Sequence, residues 1–291
     1  MDFTNNESIR NQARKDLDHL KPIVHVAGLA KTQEEIRELP SEYKCEKHGV
    51  YKIRLSKGIF PNKMIYNDQC PECIKEFNLL VDKREQEISQ ELEEKAKQKR
   101  LNDRITKLKE LGVGKRYIDN SFDNYLTDAP EKQNALTKCK ELCNDIMNDE
   151  KPSNLIMVGG VGTGKTHLAN SMVINLFDNK KRSERINMID MIRSLKSTWS
   201  KESEQTEEDL LKYFTSIDLL IVDEVGVQFN SDTEKMFVFD IINGRYENCL
   251  PTVIISNLDI NGVKEVIGDR CVDRLREDGG KVIAFNWNSH R

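Results

Sequence analysis

Four glycines in six positions, followed at once by a lysine and a hydroxyl, constrain this chain more than any other feature. Residues 158–169 read VGGVGTGKTHLA, and the residues NLIM precede them. Glycine costs backbone entropy and buries almost nothing, so this segment must need bare backbone. From Gly159 to Thr166 it satisfies the pattern G-x-x-x-x-G-K-S/T, in which backbone N–H groups converge on phosphate oxygens. The sequence therefore predicts a phosphate-binding loop between a strand and a helix.

Each position of this loop has an expected part. Lys165 can reach the β- and γ-phosphates of a nucleoside triphosphate, and Thr166 can hold Mg²⁺. The partial positive charge at the start of the following helix favours the same ligand. A plain glycine-rich turn is the alternative, but it does not explain the full pattern between a strand and a helix. The expected nucleotide contacts are Gly159, Gly160, Val161, Gly162, Thr163, Gly164, Lys165, Thr166 and His167.

Around the loop, short apolar segments alternate with amphipathic ones from about Tyr117 onward. Near-continuous apolar runs are typical of strands buried on both faces, and strand–helix alternation predicts an α/β fold with a mostly parallel sheet. The predicted strands are 154–158, 185–189, 218–223, 252–256 and 281–285. The predicted helices include 131–148, 165–176, 191–199, 207–215 and 232–247.

Polar side chains follow two of these strands. The stretch IDLLIVDEVG, residues 217–226, ends its apolar run in Asp223 and Glu224. A carboxylate at that place can hold the shell of Mg²⁺, and its neighbour can act as general base toward water. The stretch TVIISNLD places Asn257 after the next strand. Its amide either orients the attacking water or the γ-phosphate, or caps the following turn.

Two arginines stand four residues apart in the stretch IGDRCVDRLRED. Arg270 and Arg274 therefore share one face of a predicted helix. A pair on a late helix can point into a neighbouring subunit and supply an arginine finger to its ATP. Alternatively, the two side chains form surface salt bridges with Asp269, Asp273 and Glu277.

A tryptophan stands among basic residues in the stretch IRSLKSTWSKESEQ. Trp199 together with Lys196 suits base stacking and phosphate neutralisation, which is how single-stranded nucleic acid is bound. The alternative is that Trp199 packs into a core or an interface, and the residues alone favour that alternative.

Near the N-terminus, two short pairs of metal-ligand residues are separated by 21 residues. They are Cys45 with His48 and Cys70 with Cys73, and Gly49 and Pro71 favour tight turns beside them. Four such ligands suit a structural, tetrahedral Zn²⁺ site. A segment of this length has too little core to fold unaided, so a metal would supply the missing stability. Four unpaired residues are the alternative.

Together these signals resemble the AAA+ ATPases, and residues 117–291 are most similar to the DnaC-type replicative helicase loaders. The closing stretch, FNWNSHR (285–291), is distinctive within that superfamily. The stretches that carry the resemblance are RYIDNSFDNY (116–125), GTGKTHLA (162–169), DLLIVDEVGVQ (218–228), SNLD (256–259), GDRCVDRLRE (268–277) and FNWNSHR (285–291).

The resemblance implies a five-stranded AAA+ core without a C-terminal lid, and ATP-dependent loading of a DnaB-type hexameric helicase onto single-stranded DNA. It implies that Arg274 is the finger arginine and Arg270 its companion, at ATP sites formed by self-association. It further implies that Trp199 contacts single-stranded DNA, with a second contact at Ser231 after the acidic motif. The predicted zinc module resembles the helicase-binding domains of some loaders.

Composition and charge limit the remaining classes of function. The net charge of −4 means that nucleic-acid binding must depend on a local patch. No apolar run approaches the roughly 20 residues that span a bilayer, and the N-terminus lacks the features of a signal peptide. We therefore expect a cytoplasmic protein with no membrane partner. Because seven cysteines do not pair evenly, we expect thiols or metal ligands and no disulfide framework, and Cys139, Cys143, Cys249 and Cys271 are predicted to be buried thiols.

The predicted domains are an N-terminal helicase-interaction domain with the zinc module (1–80), a helical linker (81–115) and the AAA+ domain (116–291). The linker belongs to one long charged helix over about 75–111, which Gly112 and Gly114 end.

Two other functions remain open. One is an IstB-type transposition ATPase, which shares the same core and acts on duplex DNA for a transposase; the closing stretch and the zinc module argue against it. The other is an adaptor that binds ATP without significant turnover. Glu224 argues against the adaptor, because a general base is needed only for hydrolysis.

Overall fold

The chain forms two compact units, residues Met1–Leu101 and Asn102–Arg291. We describe them from a computed structural model, which covers residues 3–21, 30–31, 37, 40–52, 54–57, 64–67, 69–200, 202–226 and 231–289. Lys201, residues 227–228 and residues 290–291, which belong to stretches discussed above, lie outside the described residues. The boundaries of the three predicted domains, at 80–81 and 115–116, stay a prediction.

The first unit contains a helix and short antiparallel strands. Strand β2 pairs with β3 as a hairpin, and β5 lies between β1 and β4. Because most side chains of β2 and β3 are exposed or half-buried, this hairpin has little core of its own. The elements are α1 (Phe3–Asp16), β1 (Ala30–Lys31), β2 (Glu42–Cys45), β3 (Gly49–Lys52), β4 (Arg54–Lys57) and β5 (Met64–Asn67).

One long helix, α2 (Pro71–Glu110), begins in the first unit and continues into the second. The predicted long helix is confirmed, although it begins earlier than the expected residue 75. Proline suits the first position of a helix because its missing N–H would have no partner there. Beyond Glu110 the chain turns at Gly112, whose φ of 84° is in the left-handed region.

The second unit is built on a parallel five-stranded sheet with the order β10-β6-β9-β8-β7. The predicted α/β fold with this sheet is confirmed. The strands are β6 (Leu155–Gly159), β7 (Ser183–Asn187), β8 (Leu219–Asp223), β9 (Thr252–Ser256) and β10 (Lys281–Phe285). Four of them lie within one residue of the predicted bounds, and β7 lies two residues earlier than the predicted 185–189.

Helices cover both faces of this sheet, and each face has its own buried cluster of apolar side chains. The sheet is therefore fixed in place by packing on two sides. Its helices are α3 (Pro130–Met147), α4 (Lys165–Asp178), α5 (Met188–Ser197), α6 (Glu207–Phe214), α7 (Asp232–Glu247), α8 (Ile260–Ile267) and α9 (Asp269–Arg276).

Three local expectations can be checked in this unit. Cys139, Cys143 and Cys271 are buried thiols, as predicted, and burial raises the pKa of Cys139 to about 12. The prediction for Cys249 was wrong, because this residue lies just after α7 with a φ of 55° and is exposed. Among the described residues, no helix has a stretch that is long and apolar enough to cross a bilayer.

Candidate functional site: the loop after β6 and the carboxyl ends of the strands

The loop after β6 has the backbone shape that its glycines predict. Gly159, Gly162 and Gly164 have φ values of 133°, 77° and 98°, which side chains with a Cβ rarely adopt. A Cβ on Gly159 would lie 2.4 Å from the carbonyl oxygen of Phe285, and one on Gly164 would lie 2.8 Å from the ring of Tyr125. These glycines therefore permit both the turn and the close approach of neighbouring elements.

Lys165 bonds to the backbone of the loop. Its Nζ donates hydrogen bonds to the carbonyl oxygens of Gly159 and Gly160, each at 2.7 Å. Burial lowers the pKa of Lys165, and the carboxylate of Asp223 opposes this shift. The ammonium group is thus held beside the loop, next to an acidic side chain and close to the start of α4.

Two aromatic residues of the closing stretch hold the loop from outside. The indole Nε1 of Trp287 donates to the carbonyl oxygen of Thr163 at 2.9 Å, and the Trp287 ring lies 4.7 Å from the ring of Phe285. Phe285 is fully buried at the end of β10. The stretch that is distinctive in the sequence therefore fixes the position of the phosphate loop.

The acidic pair lies at the end of β8, on the same edge of the sheet. Asp223 is buried; its Oδ2 accepts a hydrogen bond from Arg185 Nε at 2.9 Å, and its Oδ1 accepts one from the backbone N–H of Glu224 at 2.7 Å. Glu224 is exposed and has a φ of 58°, a left-handed conformation that is costly for a residue with a Cβ. The strand end thus separates one buried, oriented carboxylate from one that faces solvent.

Loop, acidic pair and Asn257 meet at one cavity of about 240 Å³. Asn257 does not cap the following helix, because Asp259 does so by accepting a hydrogen bond from the N–H of Gly262. The cavity is lined by Tyr117, Val161, Gly162, Thr163, Gly164, Lys165, Thr166, His167, Asp223, Glu224, Ile255 and Asn257. Gly159 and Gly160 contribute through the carbonyls that hold the lysine.

These residues fit a nucleotide phosphate chain with Mg²⁺. Thr166 offers a hydroxyl and Asp223 a carboxylate in one cavity, and hard oxygen ligands of this kind are what Mg²⁺ prefers. The free backbone N–H groups of a glycine-rich turn at a helix start suit phosphate oxygens. The ring of His167 is held by a hydrogen bond of 3.0 Å from its Nε2 to the carbonyl oxygen of Ser121.

The two arginines of α9 lie elsewhere in the unit. Neither Arg270 nor Arg274 is among the residues that line the cavity. Arg270 is exposed, whereas the guanidinium of Arg274 lies 4.9 Å from the ring centre of Phe239 and 5.7 Å from that of Tyr246. Among the described residues, the buried Nη1 atom of Arg274 has no hydrogen-bond partner. Within the described part of the chain, Arg274 therefore does not form the surface salt bridges that were the alternative.

Lys196 is in the last turn of α5, Trp199 follows that helix, and Ser231 stands at the start of α7, which an ion pair from Lys196 to Glu234 joins to α5. Trp199 is 57% exposed, and its ring also lies 6.0 Å from the ring of the buried Phe237. Its Nε1 donates to Glu207 at 2.7 Å, and Lys196 pairs with Glu234 at 2.7 Å. Ser231 caps α7 by accepting a hydrogen bond from the N–H of Glu234. An exposed indole therefore stands beside a lysine whose present partner is an acid.

The four predicted metal ligands of the first unit form one cluster, with all ligand atoms within 4.8 Å of one another. His48 Nδ1 lies 3.2 Å from Cys73 Sγ and 3.6 Å from Cys70 Sγ, and Cys45 Sγ lies 3.6 Å from Cys73 Sγ. In a tetrahedral site with zinc–sulfur bonds of about 2.3 Å, neighbouring ligands lie about 3.5–3.8 Å apart. The cluster therefore fits Zn²⁺ in both composition and spacing.

The surroundings of two thiols in this cluster shift their pKa values in opposite directions. The backbone N–H groups of His48 and Lys47 lower the pKa of Cys45 to about 6, while burial and the neighbouring thiols raise that of Cys73 to about 12. The outer nitrogen of His48, Nε2, lies 3.3 Å from Oε1 of Glu76. Because Nε2 faces this carboxylate, Nδ1 is the nitrogen that faces the three sulfurs.

Sequence reasoning missed several residues of these sites. Tyr117 lines the cavity and lies in the quoted stretch RYIDNSFDNY, but no role was expected for it. Arg185 is a charged residue of the half-buried strand β7 with only 14% of its side chain exposed, and a charge in a strand needs a partner, which was a usable signal. Glu76 lies three residues after Cys73 in α2, so helical spacing places both on one face.

Comparison with known proteins agrees with this geometry. The profile of the family described as IstB-like ATP binding protein matches residues 81–290. The replicative helicase loader DnaC of Buchnera aphidicola subsp. Acyrthosiphon pisum is 33% identical over 180 residues, which cover 62% of this chain and 72% of that protein. The replicative helicase loader DnaC of Escherichia coli (strain K12) is 31% identical over 180 residues, which again cover 62% of this chain and 72% of that protein.

Solved structures give the same fold. The crystal structure of the DnaC helicase loader superposes with a TM-score of 0.51 at 23% identity, and covers 59% of this chain and 99% of that one. At this sequence identity, the similarity to the crystal structure supports the fold alone. Family profile, relatives and fold agree, and on these grounds the chain belongs to the IstB-like ATP-binding proteins and, among these AAA+ proteins, to the DnaC-type helicase loaders.

Proposed function

We propose that this protein is an ATPase that loads a DnaB-type hexameric helicase onto single-stranded DNA. The observation that carries the proposal is the meeting of the phosphate loop, Asp223, Glu224 and Asn257 at one cavity. The DnaC relatives support the choice of a helicase as partner. On the same grounds we assign the protein to the cytoplasm.

In this function the loop after β6 binds the phosphates of ATP. The backbone N–H groups of the loop would bond to the phosphate oxygens, and the Lys165 ammonium would exchange its two carbonyl partners for the β- and γ-phosphates. Thr166 and Asp223 would hold Mg²⁺, which supplies charge neutralisation on the phosphates when bound. His167 and Tyr117 border the same cavity.

Hydrolysis needs a base that can reach water. Glu224 is exposed and projects from a strained backbone, whereas Asp223 is buried and paired. We therefore assign Glu224 as the base that takes a proton from water while the water oxygen attacks the γ-phosphorus. The bond from that phosphorus to the β–γ bridging oxygen breaks, and ADP leaves with the bridging oxygen. Asn257 orients the attacking water or the γ-phosphate.

The site as proposed is completed by a second copy of the chain. Arg270 and Arg274 do not line the cavity of their own chain, which supports the proposal that they reach the ATP of a neighbour. Arg274 lies against Phe239 and Tyr246 with one buried nitrogen unpartnered, and it could exchange these ring contacts for phosphate oxygens. Self-association through ATP is therefore part of the function.

Single-stranded DNA would bind at Trp199, Lys196 and Ser231. The exposed indole suits base stacking, and phosphates would compete with Glu234 for Lys196. Trp199→Ala should weaken binding of a fluorescent oligothymidine by about 1–3 kcal/mol, the usual value of one stacked base. Tyr213→Ala, which removes another partly exposed aromatic side chain, is the matched control. Equal affinity of the wild type and the Trp199→Ala variant would remove this contact from the proposal.

The N-terminal unit would bind zinc at Cys45, His48, Cys70 and Cys73, and we propose that this domain contacts the helicase. Zinc here is structural, because four protein ligands leave no open position for chemistry. The boundaries proposed for the domains, 1–80, 81–115 and 116–291, allow the first domain to carry the partner contact and the last to carry the ATPase.

The decisive experiment is size-exclusion chromatography of the protein with its cognate helicase, with and without ATP, together with an ATP turnover assay with and without single-stranded DNA. Co-elution that depends on ATP, and turnover that rises with single-stranded DNA, are expected. Binding without any turnover would instead favour an ATP-binding adaptor.

An IstB-type transposition ATPase is the second candidate, because the matching family profile carries that name. It predicts capture of a transposase and a preference for duplex DNA. A pull-down with helicase and transposase side by side separates the two, and capture of the transposase alone would refute the loader.

A further inference from the structure

Arg185 is a charged residue of the edge strand β7, and it has no part in the proposed function. Its side chain is 14% exposed and that of Asp223 is 5% exposed, so the two form a nearly buried ion pair. The bond runs from Arg185 Nε to Asp223 Oδ2 at 2.9 Å. Asp223 is the carboxylate proposed to face Mg²⁺, so the arginine lies directly behind the metal side of the nucleotide site.

The other arm of the guanidinium is anchored outside the sheet. Arg185 Nη1 donates to the carbonyl oxygen of Gly112 at 2.8 Å and lies 3.4 Å from Asn170 Oδ1. The backbone N–H of Arg185 also donates to the carbonyl oxygen of Leu111 at 3.0 Å. These bonds hold the segment that follows α2 against β7, and they hold the guanidinium in one orientation.

Gly112 is what allows this close approach. A Cβ at Gly112 would lie 1.6 Å from the carbonyl oxygen of Arg185, so only glycine fits against the strand here. The planar fork of arginine can bond a carboxylate and a carbonyl at once, whereas a lysine has one compact charge. Arg185 thus connects the end of the long helix with the carboxylate at the end of β8.

We infer that Arg185 is a positioning residue that orients Asp223 for Mg²⁺ and anchors this orientation on the Gly112 carbonyl. The inference rests on the proposed ATP site. Asp223 Oδ1 is fixed by the N–H of Glu224, and Arg185 fixes Oδ2, so the carboxylate keeps one rotamer. Without the arginine only one of these two restraints remains, and the buried carboxylate loses its charged partner.

The test measures how much Mg²⁺ improves nucleotide binding. The affinity for N-methylanthraniloyl-ATP is determined by fluorescence with Mg²⁺ and with EDTA, in the full-length protein, and the ratio is the gain from Mg²⁺. Arg185→Gln should lower this gain about tenfold or more, as loss of an outer-shell partner does. Its affinity in EDTA should stay unchanged, because the glycine loop and Lys165 are intact. A purely structural role would instead lower both affinities together.

Arg182→Gln is the matched control, because Arg182 stands just before the same strand and its guanidinium donates to the carbonyl oxygen of Ser216. It should keep the wild-type gain. Arg185→Lys should give an intermediate gain, since one ammonium group cannot bridge Gly112 and Asp223. If Arg185→Gln does not fold, the lysine variant decides.

A wild-type gain in a folded Arg185→Gln or Arg185→Lys variant would overturn the inference. A wild-type protein that does not bind the analogue at all would instead refute the proposed ATP site. The two failures are thus distinguishable.

Discussion

The two sites of this molecule are held by different means. The nucleotide cavity lies on a sheet that is packed on both faces by buried apolar clusters, and its loop is fixed by Phe285, Trp287 and Tyr125. The Cys/His cluster lies beside a hairpin whose side chains are mostly exposed or half-buried. Packing therefore preorganises the nucleotide cavity, whereas the Cys/His cluster depends on a metal that joins its four ligands.

This difference teaches where stability comes from in each unit. A parallel sheet with two cores can keep a strained residue such as Glu224 in place without a ligand. A small hairpin with little core needs a staple, and a metal bound by three thiols and an imidazole is one. The nucleotide site should therefore survive loss of its ligand, and the cluster should not.

Removal of zinc should have the largest effect. Zinc binding contributes about 10–16 kcal/mol in small zinc-dependent folds, so Cys73→Ser or chelation should abolish hydrogen-exchange protection of β2 and β3. Protection of the five-stranded sheet and the affinity for ATP should stay unchanged. Cys249→Ser, at an exposed cysteine outside the cluster, is the control. Protection of the hairpin that persists after chelation would break the comparison.

Lys165→Ala tests the other side of the comparison. Turnover of ATP should fall below detection, because no other ammonium group is placed at the loop among the residues that line the cavity. The melting temperature without nucleotide should change little, since the surrounding cores are intact. Zinc content should stay at one per chain. Lys212→Ala, at an exposed lysine of α6, is the control, and hydrolysis by the Lys165→Ala variant would refute the site.

Much of this architecture was predictable because it depends on local patterns. The strands at 252–256 and 281–285 and the loop at 159–166 were found from apolar runs and glycines alone. The shift of β7 was not, because Met188 and Ile189 are apolar and continue the strand pattern. In the structure Asn187 ends the strand and α5 begins at Met188.

Contacts between residues that are far apart in the chain could not be predicted from the sequence. Arg185 meets Gly112, 73 residues away, and Asp223, 38 residues away, and no spacing rule joins such positions. The surroundings of Arg274 are of the same kind, because Phe239 and Tyr246 belong to another helix. Motifs identify the residues that meet a ligand, whereas the residues that hold them depend on the fold.

Arg274→Ala sharpens the comparison in another way. The cluster has all its ligands in one chain, whereas the nucleotide site as proposed needs an arginine from a neighbour. The variant should keep ATP binding and lose DNA-stimulated turnover by about 10³-fold, the lower range for an arginine finger. Arg276→Ala, at an exposed arginine of the same helix, is the control. Normal stimulated turnover would show that the neighbour contributes nothing through this residue.

Glu76→Gln should have the smallest effect, and it asks whether the cluster is also held from outside. Glu76 accepts from His48 Nε2 and pairs with Lys47, so it orients the imidazole whose Nδ1 faces the sulfurs. Zinc affinity, measured by competition with a chromophoric chelator, should weaken about 10–100-fold because an outer-shell carboxylate is lost. Glu87→Gln is the matched control: Glu87 is 47% exposed against 46% for Glu76 and pairs with Arg84 on the same helix.

The result of this comparison of carboxylates decides how far the two sites differ. If Glu76→Gln binds zinc as tightly as the Glu87→Gln control, the four ligands alone fix the metal, and only the nucleotide site depends on an outer partner. If it binds zinc more weakly, Glu76 orients His48 in the same way as Arg185 is inferred to orient Asp223. In that case packing accounts for the difference in stability between the sites, and both orient their ligands through a charged second residue.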